Sequence, residues 1–367
     1  MFIDSIDLVN FRNISRASLS FSRALNLFIG MNGQGKTNLL EAISFFSLGR
    51  SFRSRRREEM ITFGEDYAFL AVRAESDNGI TFVVEVGMNA AGAVKVSVNG
   101  KRVKGMSDFV GTIPAVIFTP EDIALAGGSP QIRRLYIDYT AAQIFPRFVR
   151  SLKRFKRILR QRNAFLKGFE SAKDLEEKET WDEAFIEVST EIVERRREAL
   201  KKILPRVKAI FEELNGEGAE LNLDYICSFN PEGLDIEAAL RISLESSRDA
   251  EQRKRFTVAG PQNDDILLKL GGAELRRYGS QGQKRIVSIA LKLAQAVTIM
   301  EERGERPVVL LDDIFSELDK EKSGKLKGAL DDRYQVFVTT PREEDRRFFG
   351  ERALIFRVDN GTIRSSI

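Results

Sequence analysis

Eight residues restrict the fold of this chain more than any others. Gly30-Met31-Asn32-Gly33-Gln34-Gly35-Lys36-Thr37 fits G-x-x-x-x-G-K-[ST] and follows the apolar run Leu25-Asn26-Leu27-Phe28-Ile29 directly. A buried strand, a glycine loop and a helix opening at Lys36 are the context the pattern needs, because the loop N–H groups and the positive helix end must converge on one anion. Leu39, Leu40, Ile43 and Phe46 fall on one helical face, and Gly49 is the stop signal. The reading is a phosphate-binding loop in which Gly30, Met31, Asn32, Gly33, Gln34, Gly35 and Asn38 surround a nucleotide. Lys36 would reach its β- and γ-phosphates, and Thr37 would set its hydroxyl on Mg²⁺.

A second set of residues lies far downstream. Pro307-Val308-Val309-Leu310-Leu311-Asp312-Asp313 is a fully apolar strand ending in two carboxylates. Beside a phosphate loop, Asp312 would hold the metal and Asp313 would orient or polarise an attacking water. Read alone, the same segment is a buried strand whose acid starts a turn. Ser280-Gln281-Gly282-Gln283 precedes a helix expected from about Gln283 to Glu302. Read alone it is a helix cap, but a capped N-terminus can also bind phosphate. One active site cannot use both glycine turns at once. Two copies of the chain closing face to face over ATP can, so ATP would act as a conformational switch.

Composition narrows the function classes. The chain has 367 residues, enough for two lobes, with 43% hydrophobic and 31% charged residues. No apolar window is long enough to span a membrane, and the start Met1-Phe2-Ile3-Asp4 lacks a basic, apolar leader. One cysteine, Cys227, fits a reducing cytosol, and the absence of histidine excludes imidazole bases and imidazole metal sites. Net charge is only +4, yet Arg50, Arg53, Arg55, Arg56 and Arg57 crowd one stretch. Arg147, Arg150, Lys153, Arg154, Lys156, Arg157, Arg160 and Arg162 crowd another. Such patches can hold a polyanion through its phosphates, with little sequence readout.

Short strands are expected at 2–9, 25–29, 67–74, 80–88, 94–98 and 115–118, with Asn99-Gly100 as a type I′ hairpin turn. Ser129-Pro130 opens a helical region. Phe148, Leu152, Phe155 and Leu159, then Trp181, Phe185, Val188 and Ile192, form two matched apolar stripes separated by Gly168. They suggest a short antiparallel helical arm, with Asp174, Glu176, Glu177 and Glu179 offsetting the dipole of its second helix. Strand-like runs return at 221–226, 256–258, 266–270, 308–311, 335–339, 354–358 and 362–363. The phosphate-loop strand and the Asp312 strand are expected in one sheet.

With these motifs in order, the chain resembles ABC-type ATPase heads and, among them, the RecF family of bacterial DNA repair proteins. The resemblance covers nearly the whole chain. It rests on Asn10-Phe11-Arg12-Asn13, Gly49-Arg50-Ser51-Phe52-Arg53, Phe118-Thr119-Pro120-Glu121-Asp122, Gly128-Ser129-Pro130 with Arg133-Arg134, and Ser280-Gln281-Gly282-Gln283-Lys284-Arg285. The most specific match is Leu310-Leu311-Asp312-Asp313-Ile314-Phe315-Ser316-Glu317-Leu318-Asp319. The resemblance implies an α/β fold, a mixed sheet flanked by helices, formed by 1–119 plus 254–367. A mostly helical second lobe, 120–253, would be inserted into it. It also implies an ATP-dependent homodimer that binds DNA at single-strand gaps, acts with RecO and RecR to load recombinase, and hydrolyses ATP weakly.

The resemblance lends weight to Arg53, Arg55, Arg56 and Arg57 as DNA contacts; the arm's basic run adds Lys153 and Arg154, Arg12 near a nucleotide edge is expected as an adenine-side contact, and Asp319 joins the nucleotide residues. Two departures stand out. Gly260-Pro261-Gln262-Asn263-Asp264-Asp265 replaces a family stretch with histidine and arginine at Gln262 and Asn263, and Thr339-Thr340 stands where transporter ATPases carry a switch histidine. A threonine hydroxyl there can contact a γ-phosphate but cannot act as a base. The alternatives are a transporter ATPase subunit or a metabolic P-loop kinase.

Overall fold

The computed structural model describes all residues except 55, 169–174, 217, 331–332, 351 and 367. It divides into two compact units, Met1–Asp122 with Ile289–Ile367, and Ile123–Ser288.

The first unit holds the phosphate loop. Its mixed sheet runs Thr362–Ser366, Ala353–Asp359, Leu25–Ile29, Val336–Thr340, Val308–Asp312, Ala115–Phe118. All neighbours are parallel except the Thr362–Ser366 hairpin. The central strands are buried end to end, which is why they read as unbroken apolar runs. Phe28 stacks on Phe356 with ring centres 4.8 Å apart, filling one layer of the core. Parallel register sets Asp312 opposite Thr339 and Thr340 opposite Ile29. The carboxyl ends of three adjacent strands therefore meet at one edge, where open α/β sheets bind ligands.

The helix Lys36–Leu48 rises from that edge and ends at Gly49, whose φ of 63° closes the last turn. The expected 2–9 strand extends to Phe2–Phe11 and pairs with Ile14–Ser20, a strand the sequence reading did not place. These open an antiparallel sheet continuing through Tyr67–Glu75, Thr81–Asn89, Val94–Val98 and Lys101–Arg102. The Asn99-Gly100 turn has both φ angles positive, as type I′ requires.

The second unit combines helices with a three-stranded antiparallel sheet, Ala273–Glu274, Asp265–Leu270, Leu221–Ile226. Because Asp265–Leu270 pairs along its length with Leu221–Ile226, the chain stays in this unit well past the expected 253/254 crossing. The division falls instead at Ser288/Ile289, within the helix Gln281–Arg303. The expected strand at 256–258 is absent. Its backbone donors go to side chains, Thr257 N to Asn163 Oδ1 at 2.8 Å and Val258 N to Glu251 Oε1 at 3.2 Å.

The arm helices are Phe148–Gly168 and Leu175–Asn215, the second with Pro205 inside it. Asp174, expected at the start of that helix, lies outside the described residues. On the first helix the buried stripe is Phe148, Ser151, Phe155, Ile158, Arg162 and Leu166, so Leu152 and Leu159 sit at its margin. Arg162 is therefore a core residue, contrary to its place in the basic run. Its guanidinium donates to Glu251 at 2.7 and 2.9 Å, to Thr257 Oγ1 at 2.7 Å and to Asp182 at 2.9 Å. Two carboxylates offset the desolvation of Arg162 and of the nearby buried Lys178.

Candidate functional site

A cleft of about 620 Å³ opens at the carboxyl edge of the mixed sheet. Asn32, Gly33, Gly35, Lys36, Thr37, Asn38, Asp312 and Asp313 line it as expected, joined by Phe52, Arg53, Thr119, Pro120 and Glu121. Lys36 Nζ donates to Gly30 O at 2.6 Å and Met31 O at 2.9 Å, so the ammonium folds onto the loop's own carbonyls. Burial pushes the Lys36 pKa down, opposed by the charges of Asp313 and Asp312. An incoming phosphate would compete with two neutral carbonyls for this proton-rich group, and charge-assisted bonds are the stronger.

Gln34 turns away from the cleft. Its Oε1 accepts from Asn360 N at 2.5 Å, and its carbonyl accepts from Gly361 N at 2.8 Å and Asn13 Nδ2 at 3.1 Å. Asn13 Oδ1 in turn accepts from Asn38 Nδ2 at 2.8 Å. The turn between the last two strands thus braces the phosphate loop from outside. Asn13 and Asn360-Gly361 lie more than 300 positions apart, and nothing local to either signals the contact.

Asp312 Oδ1 accepts two hydroxyls, Thr37 Oγ1 at 2.9 Å and Thr339 Oγ1 at 2.7 Å. Burial raises its pKa, and these two bonds work against that. Asp313 has φ of 51°, in the left-handed region, and its buried Oδ1 has no partner among the described residues. A carboxylate and a hydroxyl in contact, with a second carboxylate oxygen unsatisfied beside them, are oxygen donors suited to a hard cation such as Mg²⁺. Thr37 and Asp312 would hold that ion, whose chemistry is to neutralise charge on phosphate oxygens.

Both hydroxyl protons of the 339–340 pair are engaged within the chain. Thr339 gives its proton to Asp312 and Thr340 gives its own to Asp345. A γ-phosphate contact from either threonine would have to replace one of these bonds.

The structure places Arg12 beside the cleft's supporting wall and not among its lining residues. It forms a two-pronged pair with the fully buried Glu41, 2.8 and 2.6 Å, and a third bond to Glu59 O at 2.5 Å. Ser51 also donates to Glu41. Arg53, assigned to DNA by resemblance, lies in the cleft, donating to Asn38 Oδ1 at 2.7 Å. Arg55 lies outside the described residues, Arg56 is exposed, and Arg57 is half-buried ahead of the short turn Glu58–Met60. On the arm, Lys153 is exposed. Arg154 is exposed too, but its guanidinium binds both oxygens of Glu187 at 2.7 and 2.6 Å.

Ser280 and Gln283 form a reciprocal cap: Ser280 N donates to Gln283 Oε1 at 2.8 Å, and Gln283 N to Ser280 Oγ at 3.2 Å. Ser280, Gln281 and Gly282 are exposed, and a Cβ on Gly282 would meet nothing nearer than 3.9 Å. Among the described residues no packing calls for glycine there. Asp319 caps the helix Lys320–Leu330, accepting from Lys322 N and Nζ, both at 2.8 Å, and these bonds lower its pKa.

The Gly260–Asp265 stretch is structural. Asp265 binds Arg133 in two-pronged fashion at 2.8 Å, and Asp264 accepts from Tyr225 Oη at 2.7 Å and Ser228 N at 2.8 Å. Gln262 and Asn263 donate to Ala259 O and Val258 O, so both side chains close the local turn.

Comparison with known proteins agrees with this geometry. Residues 2–364 match the family model described as the RecF/RecN/SMC N terminal domain. A DNA replication and repair protein RecF from Shouchella clausii is 35% identical over 99% of both chains. One from Heliobacterium modesticaldum is 36% identical over the full length of both. A solved recombination mediator protein RecF with ATP, described within the RecFOR pathway, superposes with a TM-score of 0.91 at 31% identity, covering 100% of this chain and 98% of that one. An SMC head bound to the C-winged helix domain of ScpA shares the fold at 18% identity, TM-score 0.58, over 100% and 97% of the two chains.

Proposed function

The chain belongs to the RecF family of DNA replication and repair proteins, and from that premise we propose that it is an ATP-gated DNA-binding clamp of recombinational repair and replication restart. Its fold is that of an ABC-type ATPase head, a mixed sheet flanked by helices with a long helical insertion. ATP would sit on the phosphate loop of one copy and be capped by Ser280, Gln281, Gly282 and Gln283 of a second. The observation that carries this reading is the exposed signature, preformed by its own cap and holding a glycine that no contact among the described residues requires.

The γ-phosphate then supplies binding energy present only in the closed pair, which is how a ligand shifts a population. Lys36 would move from Gly30 O and Met31 O onto phosphate oxygens, and Asp313 would orient water. With no histidine in the chain, and threonine where a switch histidine would stand, the site lacks an imidazole base, which supports slow hydrolysis as a release step. DNA at single-strand gaps, RecO and RecR are the proposed partners, the last two because the superposing RecF belongs to the RecFOR pathway. Among the described residues no helix is long and apolar enough to cross a membrane, in keeping with action in the cytoplasm.

Light scattering with and without Mg²⁺ and ATP tests the reading. Wild type should pair on ATP addition, and Lys36→Met and Ser280→Arg should each abolish pairing. Normal ATP-induced pairs in both variants would sink the composite site. Retardation of gapped, duplex and single-stranded DNA with and without ATP tests the clamp, and ATP-independent retention would contradict it. Turnover on the order of tens per second by the protein alone would contradict the slow switch.

A further inference from the structure

Resting on the reading that Asp312 and Thr37 hold the metal of a bound nucleotide, the structure assigns Thr339 as the positioning residue for both acids of the site. Thr339 lies on Val336–Thr340, the strand between the phosphate-loop strand and the acidic strand, opposite Asp312 in parallel register. Its hydroxyl is buried and bridges two groups: it donates to Asp312 Oδ1 at 2.7 Å and accepts from Asp313 N at 3.0 Å. A threonine hydroxyl carries one proton and two lone pairs. The amide of Asp313 can only donate, so the hydroxyl proton must point at Asp312, and the orientation of the bridge is determined.

Two consequences follow. Thr37 and Thr339 converge on the same Asp312 oxygen. If Thr37 turned an oxygen lone pair to a bound metal, its proton and that of Thr339 would both still hold the Asp312 carboxylate. Asp313 sits at φ 51°, a conformation costing about 1–2 kcal/mol for a residue with a Cβ. Such strain persists only where surrounding contacts over-determine it. The Thr339 hydroxyl is the partner that satisfies the Asp313 amide, so it also sets where the Asp313 carboxylate, with its unpartnered Oδ1, is aimed. Thr340 does different work. Its hydroxyl donates to Asp345 and accepts from Arg342 N at 3.1 Å, closing the loop that follows the strand. The pair standing in the switch-histidine place is therefore divided, one threonine serving the acids and the other the loop.

Removing a partner that holds a metal-binding carboxylate weakens metal affinity about 10–100-fold. The test is Mn²⁺ binding to the full-length protein saturated with a non-hydrolysable ATP analogue, read by electron paramagnetic resonance, for wild type, Thr339→Val and Thr339→Ser. Valine should weaken Mn²⁺ binding by about 10-fold or more, and serine, which keeps the hydroxyl, should restore affinity to within about threefold of wild type. Analogue binding in the presence of a chelator reports on the phosphate loop and confirms folding. If the valine protein does not fold, Thr339→Ala carries the same comparison. Valine or alanine binding Mn²⁺ as tightly as wild type, or serine as weakly as valine, overturns the assignment. Wild type failing to bind the analogue at all would instead overturn the nucleotide-site reading, so the two failures are distinct.

Discussion

The brace between the last hairpin and the phosphate loop gives the sharpest prediction outside the site. Gly361 has φ of 77°, and a Cβ there would lie 1.9 Å from the carbonyl oxygen of Asn13. That neighbour is backbone, so no rotamer change relieves the overlap; the turn or the Asn13 segment must move by about 1 Å. Gly361→Ala carries a left-handed penalty of about 1–2 kcal/mol. Displacing the turn also strains the bonds from Gly361 N and Asn360 N to Gln34, each contributing about 1 kcal/mol. The expected cost is about 2–4 kcal/mol of stability. If about 1.4 kcal/mol of it is felt by the loop in the bound state, ATP affinity falls about tenfold.

Gly92→Ala is the matched control. Its φ is 79° with nothing within 4 Å of the added carbon, so it carries the backbone penalty without the collision. Denaturant unfolding and titration with a fluorescent ATP analogue measure both quantities. Gly361→Ala behaving like Gly92→Ala in stability and in nucleotide affinity would refute the brace.

Three further outcomes are expected. Arg162→Met should cost about 3–5 kcal/mol in unfolding experiments by stranding Glu251, and adding Glu251→Leu should recover much of it; equal stability of the single and double variants contradicts this. Burial pushes the Asp77 carboxyl up, but bonds from Arg306 and the Met1 ammonium outweigh it and hold its pKa at about 2, below the ordinary 3.8. Its stabilisation is therefore full above about pH 4 and lost as pH falls toward 2. The thermal midpoint of wild type should converge on that of Asp77→Asn over that window, and a constant gap would show the sign is wrong. Arg56→Glu and Lys153→Glu should each flatten the salt dependence of DNA retention by a slope of about 1, with Arg154→Glu changing it less because Glu187 already holds that guanidinium; unchanged slopes would move the DNA surface elsewhere.

Much of the site was legible because its signals are local. A glycine loop between an apolar strand and a helix, a serine three residues before a glutamine, and an apolar run ending in two acids each state their conformation within a few residues. The arm was legible only in part. Arg162 sits at the core spacing of its helix, yet an arginine in a basic run reads as surface, and only Glu251 and Asp182 make its burial tolerable.

The same limit explains the second unit's boundary, set by pairing between strands whose sequences show no sign of each other. It explains Arg12, claimed by Glu41, and Arg53, brought into the cleft from an arginine-rich stretch. By itself, then, the sequence determined where phosphate and metal chemistry resides, since backbone geometry over eight residues suffices for that. The tertiary structure decided which hydroxyl protons and guanidinium groups remain available. Most of those depend on partners tens to hundreds of residues away, and a donor already engaged cannot be told from a free one until the chain has folded.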